Sequence, residues 1–159
     1  MNKRKLIEAI IEKLREDLAL YHKAADAARA EATHEQSKAE HKYDTRGLEA
    51  SYLARGQSRV AAEIGQALEK FEKLPLRDFK SGETVDLGAV IELQNGKETN
   101  TYFIGPRAGG TEITFAKREV LVITPESPLG SQLLGKKTGE KCVVDLGGQK
   151  QEFKIAAIW

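Results

Sequence analysis

Apolar positions in the first half of the chain repeat with the alternating steps of four and three residues that two packed helices require. One series runs Ile7, Ile11, Leu14, Leu18, Tyr21, Ala25, Ala28 and Ala32, and a second runs Leu53, Gln57, Val60, Ile64, Ala67, Phe71 and Leu74. Because the connection between the two series is short, the pattern predicts an antiparallel coiled-coil hairpin with large side chains at its base and alanines near its tip.

The segment that joins the two series is predicted to form the tip of the hairpin, near residues 34–51. Nearly every position there is polar or small, and Gly47, just after Asp44 and Thr45, indicates the point where the chain turns. Glu49 is then expected in the first turn of the second helix, where its charge favours the helix dipole. The histidines and glutamates of the tip have no zinc-site spacing, so a solvated charged surface is the preferred interpretation.

The second half of the chain has the two-residue period of strands. Apolar positions alternate over residues 85–93, Asn95-Gly96 indicates a tight hairpin turn, and residues 102–104 supply the partner strand. Further short strands are predicted at residues 113–115, 120–123, 141–146 and 151–158. This pattern predicts an antiparallel sheet of four to six strands.

The composition changes at Pro75, which divides the chain into two predicted domains. Residues 1–74 contain no proline and three glycines, whereas residues 75–159 contain all four prolines and eleven glycines. A short helix is predicted where Ser127, Pro128 and Gly135 supply a cap, a first-turn proline and a terminating glycine. The predicted fold class is α+β, with a helical hairpin at residues 1–75 and a small sheet domain with one short helix at residues 76–159.

Charge and composition narrow the class of protein. The 159 residues carry 25 Lys and Arg against 24 Asp and Glu, a net charge of +1, which argues against a protein that binds free DNA. No apolar run approaches the roughly 18 residues of a membrane span, and acidic residues interrupt the basic N-terminus where a signal peptide would be hydrophobic. We therefore expect a cytoplasmic protein with no membrane association.

Side chains suited to catalysis are scarce. The single cysteine, Cys142, lies in a predicted strand and is interpreted as a small buried hydrophobe. The histidines His22, His34 and His41 all belong to the helical half, so the sheet domain has no Ser-His-Asp or Cys-His set. The glycines of residues 105–110 precede a strand and therefore form a loop instead of a nucleotide cradle. The chain is not expected to be an enzyme or to bind a cofactor by itself.

The sheet domain carries ITPESPLG at residues 123–130, LGKK at residues 134–137 and GE at residues 139–140. With the long hairpin before it, the chain resembles the bacterial Gre transcript-cleavage factors, of the GreA/GreB type, over nearly its whole length. The resemblance implies an FKBP-like C-terminal domain that docks at the rim of the RNA polymerase secondary channel, while the hairpin enters the channel. It also implies that Ser127 and Pro128, with Glu126 beside them, contact the polymerase.

In Gre factors the tip carries the motif Asp-Leu-Lys-Glu-Asn-Ala-Glu-Tyr, whose first acid and following Glu help to hold a second Mg²⁺ at the polymerase active centre. There the ion activates water to cut backtracked RNA. This chain offers Asp44 and Glu49, each displaced by one residue and five apart instead of three. The resemblance implies that these two acids hold the shared Mg²⁺. Five residues on a continuous helix turn by about 140°, so the acids face apart unless Gly47 breaks the helix.

Three interpretations of function follow. In the first, the chain stimulates cleavage of backtracked RNA by the polymerase through Asp44 and Glu49, with basic residues of the tip, Arg46, Lys42 and Arg55, on the phosphates near the RNA 3′ end. In the second, the chain binds the polymerase without cutting and competes with true Gre factors. The third takes the FKBP-like domain as a prolyl isomerase or chaperone. Solubilising charge is an equally good interpretation of the basic residues.

Overall fold

A computed structural model of the protein describes residues 2–34, 38–41, 44–80 and 82–159. Two long helices come first, α1 at Lys3–Thr33 and α2 at Arg46–Glu72. Six strands follow, β1 at Val90–Asn95, β2 at Glu98–Ile104, β3 at Glu112–Phe115, β4 at Arg118–Ile123, β5 at Lys141–Leu146 and β6 at Gln149–Ile158, with α3 at Pro128–Leu133 between β4 and β5. The predicted α+β fold class is confirmed.

The two long helices form the predicted antiparallel hairpin. The first residues of α1 and the last residues of α2 belong to one compact unit, and Arg29 of α1 donates a hydrogen bond of 3.5 Å to the Ser58 hydroxyl of α2. The α1 series named from the sequence contains no exposed residue, because its steps of four and three keep it on one face.

The seam of α2 differs from its prediction. Leu53 is 54% exposed, while the alanines Ala54 and Ala61 are buried. Because the distal unit, Glu12–Leu68, consists of the two helices and their connection, these alanines are buried against α1. The assignment of Leu53 to the seam is therefore wrong, and the seam there is built from small residues.

The strands form one sheet in the order β3-β4-β2-β1-β6-β5. Four of the five pairs are antiparallel, as predicted, and β2 and β4 are parallel, with Thr101 opposite Val120 and Ile104 opposite Ile123. The parallel pair arises because β3 and β4 form their own hairpin, and β4 is the strand of that hairpin that adds to β2. All five later predicted strands and the short helix are present.

The first predicted strand begins later than the sequence indicates. Residues 85–89 lie outside β1 even though Val85 and Ala89 are buried. Gly88 has a φ of +83°, and the Ala89 amide donates to the carbonyl of Asp86, so the chain turns there. Alternating burial continues through this turn, which is why the pattern predicts a longer strand than the one that forms.

A hydrophobic core lies on one side of the sheet under α3. It contains Ile91 and Leu93 of β1, Ile104 of β2 and Phe153 and Ile155 of β6, and Leu133 of α3 packs into it. Cys142 is 97% buried in the same core, as predicted, and burial raises the pKa of its thiol, so the group is held in its unreactive form.

The ends of the long helices cover part of the opposite face. Met1–Ile11 and Glu69–Trp159 form one compact unit, and within it Phe71 of α2 stacks on Phe103 of β2 with ring centroids 6.0 Å apart. Gly105 allows this approach, since a Cβ there would lie 2.9 Å from the Phe71 ring and 2.8 Å from Val122. The boundary predicted from composition, between residues 75 and 76, stays a prediction.

Within the described ranges, no helix combines the length and the apolar character that a membrane crossing requires.

Candidate functional site

Asp44 lies just before α2 and ends the connection between the helices. Its Oδ1 accepts a hydrogen bond from the Arg46 amide and its Oδ2 accepts one from the Glu40 amide, each at 3.2 Å. These two backbone hydrogen bonds, with the positive charges of Arg46 and His41, hold the pKa of Asp44 below its usual range. One carboxylate oxygen of Asp44 therefore binds an amide at the start of α2, and the other binds an amide in the connection before the helix.

Glu49 lies in the first turn of α2, as predicted. Its Oε1 accepts a hydrogen bond of 2.6 Å from the Thr45 hydroxyl, and its amide donates to the Thr45 carbonyl. Gly47 lies inside α2, so the expectation that the chain turns at this glycine is wrong. The turn comes earlier because Asp44 and Thr45 supply the hydrogen bonds that start the helix.

The two predicted acids thus have separate local partners. Their predicted role in holding Mg²⁺ depends on oxygens that can reach a cation, and a continuous helix from Arg46 onward does not bring Glu49 back toward Asp44. In the described ranges, no group of three or more His, Cys, Asp or Glu side chains could hold a metal ion. The assignment of Asp44 and Glu49 as metal-holding acids stays a prediction.

The predicted nucleic-acid contacts lie around the same end of the hairpin. Arg46 and Arg55 are exposed, and the Arg55 guanidinium lies 6.0 Å from the ring centroid of Tyr52. Lys42 falls outside the described residues. Sequence reasoning did not single out Tyr52 as a surface residue, although it lies off the seam, one step of four after the apolar Leu48.

The predicted polymerase-docking loop is closed by its own hydrogen bonds. Ser127 caps α3: its hydroxyl donates to the Thr124 carbonyl at 2.7 Å and accepts from the Gly130 amide at 3.0 Å. Pro128 opens the helix with its fixed φ, and Leu133 anchors the helix in the core. Ser127 therefore gives the loop its shape through local hydrogen bonds.

Gly130 is required where it stands in this loop. A Cβ at this position would lie 1.9 Å from the carbonyl oxygen of Thr124, a distance at which no side chain fits. Glu126 and Pro128, by contrast, are exposed on the surface of the same loop. The loop thus combines an internal support with two side chains that are accessible to a partner.

One cluster was missed by sequence reasoning. Lys3 is only 5% exposed, its Nζ donates a hydrogen bond of 2.6 Å to the Arg77 carbonyl, and the same atom lies 4.5 Å from the ring centroid of Phe79. Arg77 also lies over this ring, at 4.2 Å. In the sequence Lys3 is one of three consecutive cations, which gives no signal that one of them is buried.

The chain is similar to known proteins. The transcription inhibitor protein Gfh1 of Thermus thermophilus is 29% identical over 119 residues, which cover 73% of this chain and 72% of that protein. Gfh1 of Thermus aquaticus is 27% identical over the same length, with 73% and 71% covered. The crystal structure of Gfh1 from Thermus thermophilus aligns with 94% of this chain at 26% sequence identity, with a TM-score of 0.38. The crystal structure of Gfh1 from Thermus aquaticus aligns with 95% of this chain at 25% identity, with a TM-score of 0.41. Each alignment covers 94% of the solved chain.

A family match covers the sheet domain, including the capped loop around Ser127. Residues 80–159, half of the chain, match the family described as "Transcription elongation factor, GreA/GreB, C-term". The matched region contains the core under α3 and the capped loop around Ser127. The chain therefore belongs to the GreA/GreB family of transcription elongation factors.

Proposed function

We propose that this chain binds RNA polymerase through the secondary channel and regulates transcription without supplying acids for transcript cleavage. The observation that carries the proposal is the engagement of Asp44: one carboxylate oxygen accepts a hydrogen bond from the Arg46 amide at the start of α2, and the other accepts one from the Glu40 amide in the connection before the helix. A carboxylate that gives up these hydrogen bonds to bind a cation would release one amide at the helix start and one in the connection before it.

The relatives favour the same function. The similar proteins from Thermus carry the name transcription inhibitor, and the chain covers more than two thirds of their length. Because a regulator of this kind acts on the polymerase, its cellular location is that of the enzyme, the bacterial cytoplasm. The active centre and its resident metal would belong to the polymerase, so the chain acts as a partner and not as an enzyme.

The docking contact is assigned to the exposed side chains of the capped loop. Glu126 offers a carboxylate and Pro128 a rigid apolar ring next to it, whereas Ser127 and Gly130 hold the loop in shape. Such a surface fits a polymerase patch that presents a cation beside a small apolar depression. Rim contacts of this kind set the affinity, while the hairpin sets the effect on transcription.

The test uses purified elongation complexes that are stalled in a backtracked position. We expect no shortening of the RNA with this chain alone, because Asp44 and Glu49 are each engaged in local hydrogen bonds at the start of the helix and in the connection before it. We expect cleavage by an authentic Gre factor to fall as this chain is added, because the two proteins would compete for one channel. Binding is measured in parallel by the anisotropy of a labelled chain.

Matched variants separate docking from folding. Glu126→Ala with Pro128→Ala is expected to weaken competition about tenfold, while Lys97→Ala, an exposed change in the β1–β2 turn, leaves it unchanged. RNA shortening that disappears in the Asp44→Ala, Glu49→Ala variant would overturn the proposal and establish the cleavage factor with its shared Mg²⁺. Full Gre-dependent cleavage at saturating chain would also overturn it.

A prolyl isomerase finds no support in the described part of the sheet domain. Among its aromatic side chains, Phe79, Phe103 and Phe153 are buried, and Tyr102, Phe115 and Trp159 are only partly exposed. The depression of about 520 Å³ beside β1, β2 and β4 is lined by polar and charged residues, such as Thr99, Asn100 and Arg118. An assay with a proline peptide is expected to show no rate enhancement.

A further inference from the structure

The strand β5 lies at the end of the sheet, and one of its edges has no neighbouring strand. In the order β3-β4-β2-β1-β6-β5 it pairs only with β6. Within the described ranges, the β5 backbone makes no hydrogen bond to a segment other than β6. An open edge of this kind presents unpaired amides and carbonyls to which another strand can add.

The backbone groups of β5 point alternately to β6 and to the free edge. The Ile155 amide of β6 donates a hydrogen bond of 2.9 Å to the carbonyl of Glu140, the residue before β5. Because an antiparallel ladder alternates, the even-numbered residues of β5 also bond to β6, and the odd-numbered residues direct their amides and carbonyls to the free edge. The odd-numbered residues are Lys141, Val143 and Asp145.

The side chains of these three residues lie on the face of the sheet away from the core under α3. Cys142 and Val144 are each 3% exposed within that core, and side chains alternate between faces along a strand. Val143 is 49% exposed, and Lys141 and Asp145 are exposed on either side of it. The free edge therefore presents a cation, an apolar side chain and an anion, in that order.

We propose that β5 pairs antiparallel with β5 of a second copy of this chain, in a two-fold dimer that continues one sheet into the other. The order of the side chains is self-complementary. With Val143 opposite its own copy, Lys141 of each chain lies opposite Asp145 of the other, which places unlike charges on both sides of an apolar pair.

The backbone selects the same register. With Val143 on the two-fold axis, all three edge-directed residues of one copy face edge-directed residues of the other, as an antiparallel ladder requires. A shift of two residues in either direction loses one of these backbone pairs and both contacts between unlike charges. A shift of one residue places edge-directed groups opposite groups that already bond to β6.

The opposite edge of the sheet lacks this complementarity. The edge strand there, β3, has four residues, and pairing with its own copy would place Glu112 opposite Thr114, without unlike charges. The contact along β5 is short, and an interface smaller than roughly 1,200 Å² is typical of weak association. We therefore expect a dimer that forms at high protein concentration.

Sedimentation equilibrium of the full chain tests the inference. We expect the unchanged chain to pass from monomer to dimer between about 10 μM and 1 mM. Lys141→Glu and Asp145→Lys are each expected to weaken the dimer about tenfold, because each substitution places like charges opposite one another at two symmetric positions. Glu112→Lys on β3 and the docking-loop variant Glu126→Ala with Pro128→Ala are the controls, and both are expected to dimerise as the unchanged chain does.

A mixture of the two charge variants separates the interface from the fold. Each substitution also removes a contact within one chain: Lys141 pairs with Glu152 at 2.7 Å, and Asp145 accepts a hydrogen bond of 2.8 Å from the Gly148 amide. In a dimer of Lys141→Glu with Asp145→Lys, unlike charges again lie opposite one another. We expect the mixture to dimerise about as strongly as the unchanged chain, whereas damage to the fold would persist in the mixture.

Three results would overturn the inference. They are a chain that stays monomeric up to about 1 mM, a dimer that neither charge variant weakens, and a mixture that dimerises no better than its two components. The inference uses the edge of the sheet and neither the hairpin nor the docking loop. Its failure would leave the proposed function standing.

Discussion

At the scale of single residues, Lys3 is the least ordinary group in the described chain. Burial lowers its pKa to about 8, a shift that Arg77 reinforces and Asp78 opposes. The ammonium is kept in place by the Arg77 carbonyl and the Phe79 ring, which ties the first turn of α1 to the segment that follows α2. Burial of a charge at this point reduces stability at neutral pH and makes it depend on pH.

The sign of that dependence follows from the lowered pKa. Below about pH 8 Lys3 is protonated in both states, and between about pH 8 and 10.5 the unfolded chain holds more protons, so the free energy of unfolding rises with pH. We expect the deprotonation of Lys3 to raise the free energy of unfolding by ~1 to 3 kcal/mol between these two pH values. Denaturant titrations at about pH 7.5 and pH 10 measure this change in the free energy of unfolding, for the unchanged chain and for Lys3→Met. The same change with pH in both chains would refute the lowered pKa of Lys3.

Residue identity predicted some roles and concealed others. Cys142 is correctly predicted as buried because its strand alternates regularly. Leu53 is wrongly predicted to lie in the seam. The spacing of apolar residues does not distinguish two adjacent faces of α2, and the face that packs against α1 carries the small residues Ala54 and Ala61. Lys3 gives no signal at all, since its burial depends on Arg77 and Phe79, more than seventy residues away.

At the scale of secondary-structure elements, the turn between β3 and β4 contains two residues whose backbone conformation is unfavourable for their side chains. Ala116 and Lys117 have φ values of +51° and +64°, in the left-handed region where residues with a Cβ are strained. Tight hairpins of this kind favour Asn-Gly. The sequence predicted both strands, yet it gave no sign of the turn because Ala-Lys has no turn preference.

This strain predicts stabilising substitutions. Lys117→Gly is expected to raise the free energy of unfolding by ~0.5 to 1 kcal/mol, because glycine adopts a positive φ at little cost. Thr114→Gly, an exposed change within β3, serves as the control and is expected to lower stability by a similar amount. Thermal unfolding of the three chains gives the comparison; a lower melting temperature for Lys117→Gly would show that the turn carries no strain.

At the scale of the whole molecule, the compact units cut across the elements. Both long helices contribute their ends to the unit that contains the sheet, and Leu6, Ile10 and Phe71 are almost completely buried there. Heptad and strand periods predict each element from local sequence, but neither period reports that α1 has a second buried face. That face arises from tertiary packing, which a step pattern along one helix does not encode.

A substitution at Phe71 tests whether this unit folds as one. Phe71→Ala removes the ring that stacks on Phe103 and is expected to lower stability by ~3 to 5 kcal/mol. Because the ring touches β2, we expect hydrogen exchange to accelerate in the sheet as well as in the helix ends. Tyr52→Ala, on the exposed face of the same helix, is the control. Acceleration confined to α2 would mean that the sheet is stable without the helices.

Gly130 has a consequence for how this family can diverge. Two residues of the loop are constrained by its structure. A side chain at Gly130 would clash with the Thr124 carbonyl, and the Ser127 hydroxyl makes the two hydrogen bonds that cap α3. Neither of these constraints applies to Glu126 or Pro128. Mutations at Glu126 can therefore accumulate while the scaffold stays intact, whereas Pro128 also supplies the fixed φ that opens α3. Under the proposed docking, a lineage can adjust the Glu126 side chain to a changing polymerase surface one codon at a time, without passing through a misfolded intermediate.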